Sequence, residues 1–422
     1  MKSSSITYTA SNRPQKSDLS LKVHVWALDV ATVKGGIQAY SRHLINAVRT
    51  AIGPDNLQVF SKNDARAGLT GFSSLRCNSS GDWPRKLRNP VFAFRILRAA
   101  LVDRPNLIIL THLNLGPVAY WLARLRGTRY WIVAHGVEAW NLKRRAKIRA
   151  LRAADRILAV SSFTRERILQ EQHLSSDQVR VLPNTIQANA FQPAPKPDFL
   201  LKRHSIAPRK KVILTVARLA DSEQYKGYDQ ILRALPQVLS AVPEAHYVLV
   251  GEGRDRGRVE KLIKSLGLAS FVTLAGSVPQ PELADYYNLC DLFAMPSKGE
   301  GFGIVFLEAL ACGKPVLAGN VDGSSEPLQR GQLGVLIDPE NVGHIAESLI
   351  AILTRTYPLP ILYQPEELRR NAINAFGFER FSAEVAHQLS TFERLQGPNA
   401  APGKYSSRSA PIEGHSYVWH SD

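Results

Sequence analysis

Twice along the chain, short runs rich in β-branched residues alternate with stretches whose apolar residues recur at helical spacing, and a proline-rich break separates the two series. From Lys22 the first series reads KVHVWALDV, GIQAYSRHLINAVRTAI, NLQVF, PVFAFRILRAALV, NLIIL, GPVAYWLARLRG, RYWIVAHG, LKRRAKIRALRAAD, RILAVS, SFTRERILQEQ and VRVLPNTI. Strand, helix, strand again is the rhythm of a parallel sheet covered on both faces. QANAFQPAPKPDF interrupts it with three prolines and no apolar period. KVILTVARL, DQILRALPQVLSAV, HYVLVGEG and their successors then restart it. The expected architecture is α/β, with two doubly wound, Rossmann-like domains at 21–188 and 209–375 joined by a linker at 189–208. A helix at 376–396 is expected to cross back over both, and residues 1–20 and 397–422, the latter rich in Gly, Pro and Ser, are expected to be disordered. Ligands of such sheets bind outside the carboxyl ends of the strands, so the active site should lie in a central cleft between the domains.

A length of 422 residues fits two domains of ordinary size. Cys77, Cys290 and Cys312 have neither the number nor the spacing of a disulfide framework or a zinc site. The first twenty residues lack the apolar core of a signal peptide, and NLIILTHLNLGPVAYWLA is too polar to span a bilayer, so a cytoplasmic location is expected. The net charge of +17 is unevenly placed: residues 1–200 hold 30 Lys and Arg against 12 Asp and Glu, and the remainder holds 23 against 24. One domain therefore faces something anionic while the other does a charge-neutral task.

The second series contains SKGEGFGIVFLE, residues 297–308, directly after the buried-strand pattern DLFAMPS. Glu300 falls on the loop leaving that strand. Gly301 and Gly303 allow tight backbone paths, and the unpaired N–H groups of Gly303, Ile304 and Val305 at the new helix start suit a phosphate or sugar oxygen. Glu308, one turn further on, can accept two hydrogen bonds from vicinal hydroxyls such as those of a ribose. Taken singly, each glutamate is equally well read as an ordinary charge near a helix N-terminus.

The block EGFGIVFLE followed by ALACGKPVLA resembles the E-x7-E signature of the family-4 glycosyltransferases of the GT-B fold, and the order of the remaining pieces resembles that family from about residue 22 to 390. The resemblance implies that Glu300 contacts hydroxyls of a donor sugar and Glu308 the nucleotide ribose, with Phe302 in the same donor segment. TVARLADSEQYKGYDQ resembles the family's diphosphate segment, with Arg218 and Lys226 as cations that stabilise the leaving diphosphate. No D-x-D motif accompanies it, so neither metal nor other cofactor is expected. VKGGIQAY places Gly35 and Gly36 where a diphosphate or sugar could approach closely, although a plain turn is the simpler reading. RYWIVAHGVEAW ends a strand with His135, matching the family's histidine beside the reacting sugar, and AGSV places Val278 at a strand end near the base. Together with Gly301, Phe302, Gly303, Ile304 and Val305, these residues form the expected donor site.

Basic residues crowd two helical stretches of the first half, Arg85 to Arg98 and Lys143 to Arg152, beside apolar positions. Basic amphipathic helices suit an anionic membrane surface, and members of this family commonly use lipid-linked acceptors. The resemblance therefore implies a retaining, metal-independent hexosyltransferase, peripheral on the inner face of the cytoplasmic membrane. Its expected donor is GDP-mannose or a UDP-hexose and its expected acceptor a saccharide or lipid-linked saccharide of exopolysaccharide or glycolipid assembly. No nucleic-acid-binding signature accompanies the charge. A nucleotide-sugar epimerase of the same fold and a basic binding protein without catalysis are the rival readings.

Overall fold

A computed structural model of the chain describes residues 19–31, 35–72 and 74–395. The first sheet contains β1 (Val23–Ala27), β2 (Leu57–Ser61), β3 (Arg76–Ser79), β4 (Leu107–Leu110), β5 (Arg129–Ala134), β6 (Arg156–Ala159) and β7 (Val179–Val181). These are ordered β3-β2-β1-β4-β5-β6-β7 and pair in parallel throughout. β8 (Lys211–Val216), β9 (Ala245–Val250), β10 (Val272–Gly276), β11 (Leu292–Met295), β12 (Val316–Gly319) and β13 (Val335–Ile337) form the second, in the order β10-β9-β8-β11-β12-β13, again all parallel. In each sheet the direction of winding reverses once, between β1 and β4 and between β8 and β11. Crevices open at the carboxyl ends of strands where winding reverses.

Continuous burial explains the strand patterns. β1 reads VHVWA with all five residues buried, because helices cover both faces of its sheet. Trp26 points toward the helices Arg85–Asp103 and Gly116–Arg126, while Val23 and Val25 point toward Gly36–Ile52 and Phe378–Arg394. The four-residue strand β3 has no counterpart in the expected series. It reads RCNS at the sheet edge, too short and too polar to show a period.

The chain crosses between the domains twice at one place. Ile186 N donates to Phe376 O at 3.1 Å and Thr185 Oγ1 donates to the same oxygen at 2.8 Å. After Gly377 the Phe378–Arg394 helix returns to the first domain, where Phe381 meets Tyr40 edge-on with ring centroids 5.6 Å apart. One apolar core consequently runs from β1 through this helix to the Ile304–Ala311 helix of the second domain.

The linker expected over 189–208 is instead part of the second domain. Asn288 accepts from Ala194 N at 3.0 Å, Arg369 donates to the carbonyls of Ala188 and Phe191, and residues Asp198–Arg203 form a helix with Leu200 and Leu201 buried. Prolines deny the stretch a period, but side chains of the second domain satisfy its backbone. At the amino end Leu19 is buried, and Ser20 donates to Glu393 Oε1 from both N and Oγ at 2.9 and 3.2 Å, so order begins before residue 21. The rest of the expected disordered termini lies outside the described residues. Among the described residues no helix is long and apolar enough to cross a membrane.

Phe381→Ala is expected to cost about 3–4 kcal/mol of stability, the scale of a truncated buried aromatic. In a urea titration the first domain should then unfold ahead of the second, and a single unchanged transition would show that the returning helix does not hold it.

Candidate active site between the two domains

The loop between β11 and the Ile304–Ala311 helix is held by a carboxylate from the loop after β12. Asp322 Oδ2 accepts from Ser297 Oγ at 2.9 Å and from Glu300 N at 2.7 Å, and its Oδ1 accepts from Ser324 N at 2.9 Å. Gly323 N donates to Glu300 O at 2.9 Å, closing the brace. Glu300 is thereby fixed at the winding reversal of the second sheet. Phe302, next but one, turns inward: it is buried against Phe376 at 5.7 Å between centroids. Its ring therefore does not reach the cleft, and only its backbone could serve a donor. An apolar ring in a loop beside the core goes where burial stabilises it.

Glu300 pairs with Lys226, whose Nζ is also 3.7 Å from Glu223 Oε2, and Glu223 in turn pairs with Arg218. A row of alternating charges, Arg218, Glu223, Lys226 and Glu300, thus lies at the carboxyl ends of β8 and β11. Burial disfavours the charged form of Lys226, but Glu300, Tyr225 and Glu223 outweigh it and raise its pKa, so the cation is permanent. Arg218 is 69% exposed while Lys226 is 15% exposed, so the first is free to swing and the second is fixed. Glu223 was missing from the sequence expectation. Its signal, an acid between two cations in RLADSEQYKG, is indistinguishable from a solvated loop.

Glu308 has a different setting. It is 7% exposed and accepts from Tyr287 Oη at 2.6 Å. Burial pushes its carboxyl up to about 7, with the Tyr287 hydrogen bond acting in the opposite direction. The helix start supplies the remaining groups. Gly303 adopts φ +83 as its N-cap, and the first N–H groups of a helix have no partner within it. Val278 lies away from this centre, half-buried after the edge strand β10, two strands from β8.

The first domain brings His135, which follows β5. His135 Nε2 lies 2.9 Å from the carbonyl oxygen of Thr111. A carbonyl only accepts, so Nε2 carries the proton and Nδ1 offers a lone pair. Burial lowers the pKa to about 4, the Thr111 contact opposing it, and the ring is neutral at physiological pH. Glu138 and His112 stand beside it, neither foreseen. Glu138 Oε1 accepts from His135 N at 2.5 Å, and burial lowers His112 to about 4 against the pull of Glu138. Gly35 caps the Gly36–Ile52 helix, and a Cβ on Gly36 would lie 3.7 Å from Ile304 Cγ2 of the other domain.

The two halves meet at Gly301. A Cβ there would lie 1.8 Å from His135 O, and one on Gly136, at φ +137, would lie 3.0 Å from Gly301 Cα. Ser161 Oγ donates to Gly301 O at 2.6 Å and Thr164 Oγ1 at 3.3 Å, while Ser162 N and Oγ each reach Glu326 at 3.1 Å. The sequence SSFTRERI, to which no role was assigned above, is the latch. His135 from one domain and Glu300 from the other are thereby brought to the same junction.

Two parallel-sheet domains that meet at their winding reversals, with the charge row on one side and a neutral histidine on the other, define a glycosyltransferase of the GT-B fold. Residues 35–189 match the family model described as Glycosyltransferase Family 4 and residues 198–375 that described as Glycosyl transferases group 1, and the chain belongs to this family. It is 32% identical over 296 residues to the GDP-mannose-dependent alpha-(1-6)-phosphatidylinositol monomannoside mannosyltransferase of Mycobacterium tuberculosis, covering 66% of this chain and 72% of the relative. With the D-inositol 3-phosphate glycosyltransferase of Thermobispora bispora it shares 34% over 209 residues, 47% of this chain and 48% of the other. Among solved structures, Anabaena HepE in complex with UDP superposes with a TM-score of 0.72 at 19% identity, over 88% of this chain and 100% of that one.

Two outcomes test the geometry. Because the Glu308 carboxyl is raised from its unfolded value of 4.5 to about 7, its contribution to stability is full below pH 4.5 and is lost as pH rises through 7. Glu308→Gln should thus stabilise the nucleotide-free protein at pH 8 by up to about 3.5 kcal/mol, at roughly 1.4 kcal/mol per pKa unit, and leave it unchanged at pH 4. Equal denaturation midpoints for the two proteins at pH 8 would contradict the buried setting. Gly301→Ala should part the domains, read as a larger radius of gyration in small-angle scattering, and an unchanged radius would place the junction elsewhere.

Proposed function

We propose that the protein is a retaining, metal-independent mannosyltransferase that moves mannose from GDP-mannose to a hydroxyl of a lipid-linked saccharide acceptor at an anionic membrane surface. The observation that carries this reading is the charge row itself. As the glycosidic bond of a nucleotide sugar breaks, negative charge accumulates on the diphosphate, and fixed cations stabilise it more in the transition state than in the ground state. Lys226 is held in place by Glu300 and Glu223. Arg218, exposed and tethered to Glu223, can move onto the diphosphate, so two protein cations supply the charge that a metal would otherwise bring.

Glu300, fixed through its backbone by Asp322, accepts hydroxyls of the donor sugar. Glu308 in its ionised form accepts the ribose hydroxyls, and Gly303, Ile304 and Val305 offer backbone donors to phosphate. His135, with Nε2 committed to Thr111, accepts from a sugar hydroxyl at Nδ1. No carboxylate base is assigned on the acceptor side; the departing diphosphate takes the acceptor proton on the same face of the sugar, so the anomeric configuration is kept.

The similarity to the Mycobacterium tuberculosis enzyme, which is GDP-mannose-dependent and acts on phosphatidylinositol monomannoside, supports GDP-mannose as donor and a mannosylated lipid as the type of acceptor. Exposed Trp121 and Leu125, set with Arg124 and Arg126 on the Gly116–Arg126 helix of the strongly basic first domain, support a membrane surface.

Calorimetry with GDP and UDP tests the donor. GDP is expected to bind more tightly, and Glu308→Ala to weaken it by about 1.5–3 kcal/mol, the scale of charge-assisted hydrogen bonds. Preferential binding of UDP, or undiminished affinity in the variant, would sink the donor assignment. Arg218→Ala, at an exposed site, should leave stability unchanged and lower kcat about 100-fold. Turnover equal to that of the parent protein would remove Arg218 from the mechanism.

A further inference from the structure

The helix Arg85–Asp103 buries only a narrow stripe, Phe92, Ile96 and Ala100, against the first sheet. It carries a second apolar stripe, Leu87, Val91, Phe94 and Val102, whose spacing also places them on one side of a helix. Among the described residues this second stripe joins none of the apolar cores. It forms one wall of a groove of about 1140 Å³, with Gln58, Phe60 and Asn78 of β2 and β3 as its floor and Trp83 at one end. The topology creates the groove: the helix must carry the chain from the edge strand β3 back past β2 and β1 to β4, and one helix cannot also cover the edge it leaves. Leu87, Phe94 and Val102 are 47%, 66% and 68% exposed. Large apolar side chains exposed together along one helix face can serve as a binding surface.

We propose that this groove holds the apolar chain of an anionic amphiphile, which, on the reading given above, is the acceptor itself. Three features commit it to that occupant. The groove begins at the carboxyl edge of the sheet, where Ser79 ends β3 and Trp83 follows it. That edge is continuous with the cleft, because Asp64 after β2 accepts from Val30 N at 2.6 Å and Ala31 N at 3.1 Å after β1. At about 4.8 Å per strand, the end of β3 lies roughly 10 Å from the end of β1, within reach of a head group that sits in the cleft. The rim is cationic on balance: Arg66, Arg95 and Arg98 line it with Asp82 and Asp103, and Arg85, Lys86 and Arg88 add charge from the first turn of the helix. An anionic head is thus attracted while its chain is shielded. The volume exceeds the range of about 300–1,000 Å³ usual for small-molecule sites, which suits a long chain better than a sugar.

The groove is read directly with a lysophosphatidylglycerol carrying a brominated acyl chain, kept below its micelle concentration, by quenching of tryptophan fluorescence. The parent protein should show saturable quenching, most of it absent in Trp83→Phe. Phe94→Asp should weaken binding at least tenfold and Phe94→Leu by less than about threefold, with GDP affinity equal in all. Both Phe94 variants alter an exposed position and should fold normally. Absence of saturable quenching, equal affinity in Phe94→Asp, or binding only to vesicles of phosphatidylglycerol and not to the monomer would overturn the proposal. Transfer to a short-chain and to a long-chain glycolipid separates this from the acceptor reading. If the parent protein and Phe94→Asp prefer the long chain equally, the groove proposal fails and the acceptor reading stands; if neither prefers it, the acceptor reading fails while the lysolipid titration still decides the groove.

Discussion

At the junction of the two domains, two stretches of backbone approach more closely than any side chain would allow. Gly301 lies against His135 and Gly136, and its carbonyl accepts from Ser161 and Thr164 across the divide. The alignment of the two half-sites depends on this approach. The Asp322 brace orients Glu300 only with respect to its own domain, and the Thr111 contact orients His135 only with respect to the other. The glycines convert two separately ordered half-sites into one, and the hydroxyls of Ser161 and Thr164 satisfy a carbonyl that would otherwise be buried unpaired.

The charge row is balanced without ligand. Two glutamates and two cations neutralise one another, and partial burial strengthens each contact relative to water. A diphosphate must compete with Glu223 and Glu300 for the same cations. That competition makes the exposure of Arg218 meaningful: a side chain with most of its length in water can exchange partners at little cost, whereas Lys226, surrounded by Tyr225, Glu223 and Glu300, cannot. The fixed cation gives position and the mobile one gives charge at the moment it develops.

Much of this was legible in the sequence. The strand and helix periods in both halves, the proline-rich break and the glutamates of EGFGIVFLE all arise from local chemistry that leaves a trace in residue order. Glu223, Glu138, His112 and Asp322 left no such trace, because each owes its role to a partner distant in sequence or to burial that only the fold creates. Phe302 was legible as part of the motif but not in its direction, which is set by Phe376 some seventy residues later. The supposed linker was misleading for a related reason: prolines remove periodicity, and what orders residues 188–196 is hydrogen bonding to Asn288 and Arg369.

The Phe378–Arg394 helix lies last among the described residues yet packs in the core of the first domain, against Tyr40 and, through Phe392, Trp131. Domains usually complete themselves in the order in which they leave the ribosome. This one cannot. Its amino-terminal half must wait, with the apolar face of Gly36–Ile52 uncovered, until some two hundred further residues have been made. During synthesis the chain therefore passes through a stage in which a nearly finished sheet lacks one of its covers, and the nascent protein is exposed to association with its neighbours for as long as translation of the second domain takes.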